Sequence, residues 1–157
     1  MLHILSQQNS LLNQFIAELR DENIQKDSMR FRRNMERIGE IMAYEISKTL
    51  KYKTTEITTP LGISKMNLTT DPIVNATILR AGLPFHQGIL NYFDKAENAF
   101  ISAHRKYHKD GSFTIQLEHI SSPSIENKIL ILSDPMLASG ASMEIAYKAI
   151  VERGKPT

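Results

Sequence analysis

Apolar residues recur at helical spacing near the start of the chain. Leu12, Phe15, Ile16 and Leu19 form one stripe, which predicts a helix from Ser10 to Arg20. A longer stripe follows through Phe31, Met35, Ile38, Met42, Ile46 and Leu50. Its helix starts at Asp27 or Ser28, either of which can accept the free N–H groups of a first turn. Gly39 in the middle costs that helix about 1 kcal/mol relative to alanine, so its presence points to close packing. The texture then changes. Lys53–Thr59 is rich in threonine and isoleucine, Pro60-Leu61-Gly62 has turn chemistry, and Ile63–Leu68 completes a predicted β-hairpin. Three apolar runs of strand length come next: Ile73–Leu79, Ala99–Ala103 and Ile129–Leu132. A short helix with Phe85, Ile89, Leu90 and Phe93 separates the first two. A hairpin separates the second and third, turning at Lys109-Asp110-Gly111 and returning through Phe113–Ile120. Ser142–Arg153 returns to helical spacing, and Gly154 is a helix stop.

Strand, helix, strand, hairpin, strand, helix is the order of an α/β fold with a mostly parallel sheet flanked by helices. Ligands of such sheets sit at the carboxyl ends of the strands, so the loops after Leu79, Ala103 and Leu132 are the ones to search. Composition acts mainly to exclude. With 157 residues, 41% hydrophobic and 23% charged, the chain has the size of one domain and an ordinary globular make-up. No apolar run approaches the ~20 residues of a membrane span. The N-terminus MLHILSQQNS lacks the basic lead-in and long apolar core of a secretory signal. A soluble cytoplasmic protein with no membrane partner is expected. The absence of cysteine removes disulfides, thiolate metal sites and a cysteine nucleophile. A net charge of +2 suits an anionic small ligand and is too weak to demand nucleic acid, a partner that no aromatic interleaving or recognition motif supports.

The loop after Leu132 is the most informative stretch. Asp134 stands at the mouth of the strand, followed by the small-residue turn Ala138-Ser139-Gly140-Ala141-Ser142 and then a helix. A phosphate needs several converging donors without bulky side chains in the way. The N–H groups of a helix start and the hydroxyls of Ser139 and Ser142 can supply them. Asp134 would repel a phosphate, so it suits ribose hydroxyls or a bound metal. The alternative is a tight connection in which Asp134 and the serines merely cap the helix.

After Leu79, Arg80-Ala81-Gly82 offers a fixed cation and a flexible backbone, a fit for pyrophosphate oxygens or else a solvated surface charge. After Ala103, His104-Arg105-Lys106-Tyr107-His108-Lys109 reads as an anion-gripping arm or a charged hairpin tip. The spacing of His104 and His108 pairs metal ligands on a helix, whereas this segment reads as strand and turn, so no protein metal site is expected. Arg30, Arg33 and Arg37 share one helix face, beside Arg32. They could bind an anion, a nucleotide effector or a partner subunit, but the interleaved Glu36 and Glu40 favour a solvated, salt-bridged face.

Strand plus Asp134-Pro135-Met136-Leu137-Ala138-Ser139-Gly140-Ala141-Ser142 closely resembles the 5-phosphoribosyl-1-diphosphate (PRPP) loop of the uracil phosphoribosyltransferases. The wider type I phosphoribosyltransferase signature has two adjacent acids; the uracil enzymes have Asp-Pro, as here. Ser139 stands where threonine is usual and keeps the hydroxyl. Ala141 stands where glycine is frequent, which narrows the allowed backbone angles. Ile78-Leu79-Arg80-Ala81-Gly82-Leu83 resembles the loop with which that family embraces pyrophosphate, and Arg105 falls at its second PRPP-binding arginine. Gln87 stands where bacterial relatives carry an acid. The likeness runs along nearly the whole chain, including the helical N-terminus and the Pro-Leu-Gly hairpin.

The resemblance implies a type I phosphoribosyltransferase-like fold in a single domain over 1–157, with a helical segment at about 10–51 and a PRPP-binding α/β core at about 71–154. It implies transfer of the phosphoribosyl group of PRPP to uracil, giving UMP and pyrophosphate in pyrimidine salvage. Arg80, Ala81, Gly82, Arg105 and Asp134–Ser142 would bind PRPP, with Asp134 and Arg105 as catalytic residues. Mg²⁺ would arrive with PRPP, and the chain would form a homodimer or larger homo-oligomer. In that family a later loop resembling G-L-G-D-A-G-D reads uracil, and no such stretch occurs between Met1 and Thr157. The PRPP half of the site is therefore expected, with little UMP made by these residues alone. A PRPP- or nucleotide-sensing regulator and a partner-dependent fragment are the alternatives.

Overall fold

The computed structural model describes residues 2–107 and 113–157, leaving aside the side chains of 104–107 and 113–114. The predicted turn at Lys109-Asp110-Gly111 lies outside the described residues, as does His108.

Helical periodicity is realised twice near the start, as α1 (Leu11–Arg20) and α2 (Ser28–Ser47). Asp27 caps α2, its carboxylate accepting the N–H groups of Met29 and Arg30 at 3.0 Å each. The helix ends before Leu50, although its apolar stripe continues. Ser47 Oγ donates to the Tyr44 carbonyl at 2.6 Å and Thr49 Oγ1 to that of Ile46 at 2.8 Å. These hydroxyls offer the backbone a substitute for the next helical turn. The arginine face of α2 is paired within the chain. Arg30 lies 3.3 Å from Glu18, Arg33 lies 2.7 Å from Glu36, and Arg37 stacks over the Phe15 ring.

The predicted hairpin follows, β1 (Tyr52–Thr59) with β2 (Gly62–Thr69), turning through Pro60-Leu61. The remaining elements are β3 (Ile73–Leu79), α3 (Leu83–Leu90), β4 (Glu97–Tyr107), β5 (Phe113–Ser121), β6 (Ile129–Ser133) and α4 (Ala141–Ile150). They build a sheet of order β5-β4-β3-β6, with β3 parallel to both β4 and β6 and β5 antiparallel to β4. The expected mostly parallel α/β sheet is thus present. Strand β4 outruns its apolar stretch because pairing with β5 carries the ladder on to Tyr107.

Strand β3 is buried on both faces, so its run reads as continuous. Ile73 joins Leu12, Met35, Ile38, Phe85 and Ile89 in a core under α1, α2 and α3. Val74, Ala76 and Ile78 turn the other way, toward Ile101, Ile125, Ala146 and Ile150 beneath α4. Asn75 and Thr77 are the polar members of the run, and both are buried. Asn75 Nδ2 donates to the His86 carbonyl at 3.1 Å, which pins α3 to the sheet. Gly39 is where α2 meets α3: a Cβ there would stand 2.4 Å from the Phe85 carbonyl oxygen. The packing that its presence predicted is real.

Candidate active site

The carboxyl ends of β3 and β6 are tied side by side by their own hydroxyls. Thr77 Oγ1 donates to the Ser133 carbonyl at 3.3 Å, and Ser133 Oγ donates to that of Ala76 at 3.2 Å. The two loops that follow therefore open at the same level. The first leaves Leu79 through a cis peptide to exposed Arg80 and turns into α3 at Gly82. Gly82 folds back on its own strand, where a Cβ would stand 2.0 Å from Thr77 Oγ1 and 2.7 Å from the Ile78 carbonyl oxygen. Only glycine fits there.

The second loop leaves Ser133 through half-buried Asp134. Burial pushes the Asp134 carboxyl above the ordinary aspartate value, and a hydrogen bond from the Met136 N–H partly opposes it. The turn closes with Gly140 N–H donating to the Leu137 carbonyl at 2.7 Å. Left-handed backbone falls on Ala138 (φ 46°) and Gly140 (φ 80°). Ala141 is the first residue of α4, so it needs no glycine freedom, and this departure from the family pattern is harmless to the backbone. The capping alternative gains little. Gly140 occupies the N-cap without a side-chain bond, and Ser139 Oγ is a distant 3.5 Å from the Ala141 N–H.

Between the loops lies a cavity of about 220 Å³. Arg80 and Ala81 reach it from one side, and Asp134, Met136, Leu137, Ala138, Ser139 and Ser142 from the other. Gly82, Pro135, Gly140 and Ala141 shape the loops without lining it. The backbone of Arg105, on β4, pairs with Ile115, which lines the same cavity. The Arg105 side chain lies outside the described residues. Gln87 sits on α3 and donates to Asn91 at 3.0 Å, on the side where Asn91 meets Glu36 and Glu40 on α2.

A larger cavity, about 710 Å³, adjoins the first and shares Leu79, Arg80, Ala81 and Ala103 with it. Its other walls are Ser102 on β4 and Glu118 on β5, neither of which the sequence singled out. Ser102 is the polar member of the apolar run Ala99–Ala103, and Glu118 lies in an alternating hairpin strand whose polar positions look like a solvated face. The signal that could have found them is the place of Ser102 opposite Leu79, where β3 ends. Two carboxylates thus border the mouth, Asp134 and Glu118, while among the described residues no three His, Cys, Asp or Glu gather into a cation cage. So sparse a set of protein donors fits a Mg²⁺ ion that would take most of its ligands from phosphate oxygens and water.

A small-residue turn at a helix start, an acid at its strand end and an arginine on the neighbouring loop stand together on an α/β fold of the type I phosphoribosyltransferase kind. The fold matches a hypoxanthine phosphoribosyltransferase of Staphylococcus aureus at a TM-score of 0.52 and 17% identity, covering 76% of this chain and 56% of that one. It matches a solved protein of Aquifex aeolicus at a TM-score of 0.80 and 26% identity, covering 93% of this chain and 68% of that one. The uracil phosphoribosyltransferase of Porphyromonas gingivalis is 57% identical over 152 residues, 97% of this chain and 70% of that protein. The profile of uracil phosphoribosyltransferase matches residues 6–157. The chain belongs to the uracil phosphoribosyltransferase family.

Proposed function

We infer that this chain transfers the 5-phosphoribosyl group of PRPP to uracil, giving UMP and pyrophosphate. The observation that carries this is the meeting of Arg80, Asp134 and the turn Ala138–Ser142 around one cavity, in a chain whose family carries out this chemistry. A ring nitrogen of uracil forms a bond to ribose C1 as the C1–oxygen bond breaks, its electron pair leaving with pyrophosphate and the ring proton passing to solvent. Charge develops on the ribose as an oxocarbenium ion, so no protein nucleophile is needed. The protein's part is to position both substrates and to stabilise the departing charge.

In this reading Ala138–Ser142 cradle the 5′-phosphate with backbone N–H groups and two hydroxyls, helped by the α4 dipole. Asp134, which would repel a phosphate, accepts from the ribose hydroxyls, since an ionised carboxylate can only accept. Arg80 and Arg105 grip pyrophosphate, Arg80 from a loop held in shape by Gly82. Mg²⁺ bound with PRPP neutralises part of the diphosphate charge. The α/β part, about 71–154, does the binding, and the helical part, about 10–51, supports it through α3.

The reaction is one of pyrimidine salvage, placed by this reading in the cytoplasm. A second copy of the chain is its expected partner. The β1–β2 hairpin supports this, since its one face carries exposed Ile57, Met66 and Leu68, and a two-stranded hairpin is marginal without cover.

The test is titration calorimetry with PRPP and Mg²⁺, beside an assay of labelled uracil conversion. PRPP-dependent heat and PRPP-dependent UMP are expected. No heat at millimolar PRPP and no UMP, from a chain shown to be folded, overturns the reading.

A further inference from the structure

The last rung of the β3–β6 ladder pairs Thr77 with Ser133, and both residues are buried. Valine, isoleucine and leucine are usual in a parallel strand covered on both faces, as β3 is. A hydroxyl there gives up its hydration and must recover it in a hydrogen bond, so core packing does not explain the choice. The two hydroxyls are used differently. Ser133 Oγ donates to the Ala76 carbonyl, within the strand pair. Thr77 Oγ1 donates at 3.3 Å to the Ser133 carbonyl, the oxygen of the peptide that leads into Asp134. The same Thr77 Oγ1 lies against Gly82, where a Cβ would come within 2.0 Å of it. One hydroxyl is thus wedged between the end of the Arg80 loop and the start of the Asp134 loop.

We propose that Thr77 is a positioning residue whose hydroxyl sets the spacing between the Arg80 loop and the Asp134 loop. This rests on the reading that PRPP spans both, with pyrophosphate on Arg80 and the ribose and 5′-phosphate on Asp134 and Ala138–Ser142. A ligand held at two ends gains its second contact only where the two holds stand at the right distance. A ligand that uses one loop is indifferent to that distance. Threonine suits the task, since its branched Cβ leaves few rotamers and a bond to a fixed carbonyl selects one. The neighbours of the hydroxyl, Gly82 and the Ser133 carbonyl, offer it only backbone. A change at Thr77 is therefore passed to the two loops and is not absorbed by a rotating side chain.

The experiment follows PRPP, ribose 5-phosphate and pyrophosphate by calorimetry at fixed Mg²⁺, beside thermal melts of each protein. Thr77→Val keeps the branched shape and removes the hydroxyl, whereas Thr77→Ser keeps the hydroxyl and removes the methyl. Thr77→Val should bind PRPP about tenfold or more weakly, with ribose 5-phosphate and pyrophosphate within about twofold of wild type. Thr77→Ser should bind PRPP within about twofold of wild type, although the missing methyl lowers its melting temperature. A merely structural role does not separate affinity from stability in this way. Thr77→Ala against Thr77→Ser repeats the comparison with only the hydroxyl differing, and it decides the matter if the valine variant does not fold. PRPP affinity unchanged without the hydroxyl, PRPP affinity that follows melting temperature, or equal losses for all the ligands overturns the inference alone. A wild-type chain that binds ribose 5-phosphate and pyrophosphate but never PRPP overturns the underlying reading and the inference with it.

Discussion

Gly88 on α3 passes so close to Glu36 on α2 that a Cβ on the glycine would stand 2.0 Å from the Glu36 carbonyl oxygen. The reciprocal contact is at Gly39, so the two helices cross backbone to backbone, and this crossing seats α3 beneath the Arg80 loop. Helix propensity alone favours Gly88→Ala by about 1 kcal/mol. The clash opposes that gain and involves a carbonyl that no rotamer change can move, so overpacking wins. The variant is expected to lose ~1–3 kcal/mol of stability, seen as a lower urea midpoint at unchanged slope. A midpoint equal to or above that of wild type would mean that α2 and α3 separate at little cost.

Much of the scaffold was legible because burial imposes its period on the sequence. The stripes of α1 and α2, the apolar runs of β3 and β6 and the Asp27 cap all follow from rules that act over a few residues. Asp134 and the turn Ala138–Ser142 stood out for the same reason, since a strand mouth running through small residues into a helix is a local pattern. What did not show is what only tertiary pairing decides. The Glu118 bulge exists because β4 and β5 slip by one residue at Ser102, and nothing in the alternation of β5 marks it. The early end of α2 depends on Ser47 and Thr49 hydroxyls turning inward, one of two outcomes open to such residues. Nor does the sequence mark where α4 begins: the helix starts on Ala141 and Gly140 carries the left-handed angle, so alanine meets no restriction there.

Arg80 and Arg105 are expected to act on the pyrophosphate and not on the 5′-phosphate. Arg80→Ala and Arg105→Ala should each weaken PRPP binding by ~1.5–3 kcal/mol, the range for hydrogen bonds to charged groups. Ribose 5-phosphate should bind the variants as it binds the wild type, because the turn Ala138–Ser142 is untouched. Calorimetry with both ligands separates the cases. Unchanged PRPP affinity in both variants removes the pyrophosphate assignment, and an equal loss for ribose 5-phosphate moves the arginines to the other end of the substrate.

Asp134 links the site to stability through pH. Its carboxyl is raised above the ordinary aspartate value of 3.8, chiefly by burial. The folded protein therefore keeps a proton over a range in which the unfolded chain has already released it. Stability falls as pH rises through that range, which opens at the unfolded value and closes at the raised folded one, and the full loss persists at neutral pH. Asp134→Asn removes the ionisation while keeping an oxygen for the Met136 N–H. Relative to wild type it should become more stable as pH rises above about 4, with a constant advantage by neutrality. The same change should weaken PRPP binding, because a neutral amide is a poorer acceptor for ribose hydroxyls than a carboxylate. A group kept for function commonly stabilises the fold when it is removed. Thermal melts of both proteins across the acid-to-neutral range, with PRPP calorimetry at neutral pH, check the two halves together. Parallel melting curves would mean that solvent reaches the carboxylate freely, and a gain in stability without loss of PRPP affinity would take the ribose away from Asp134.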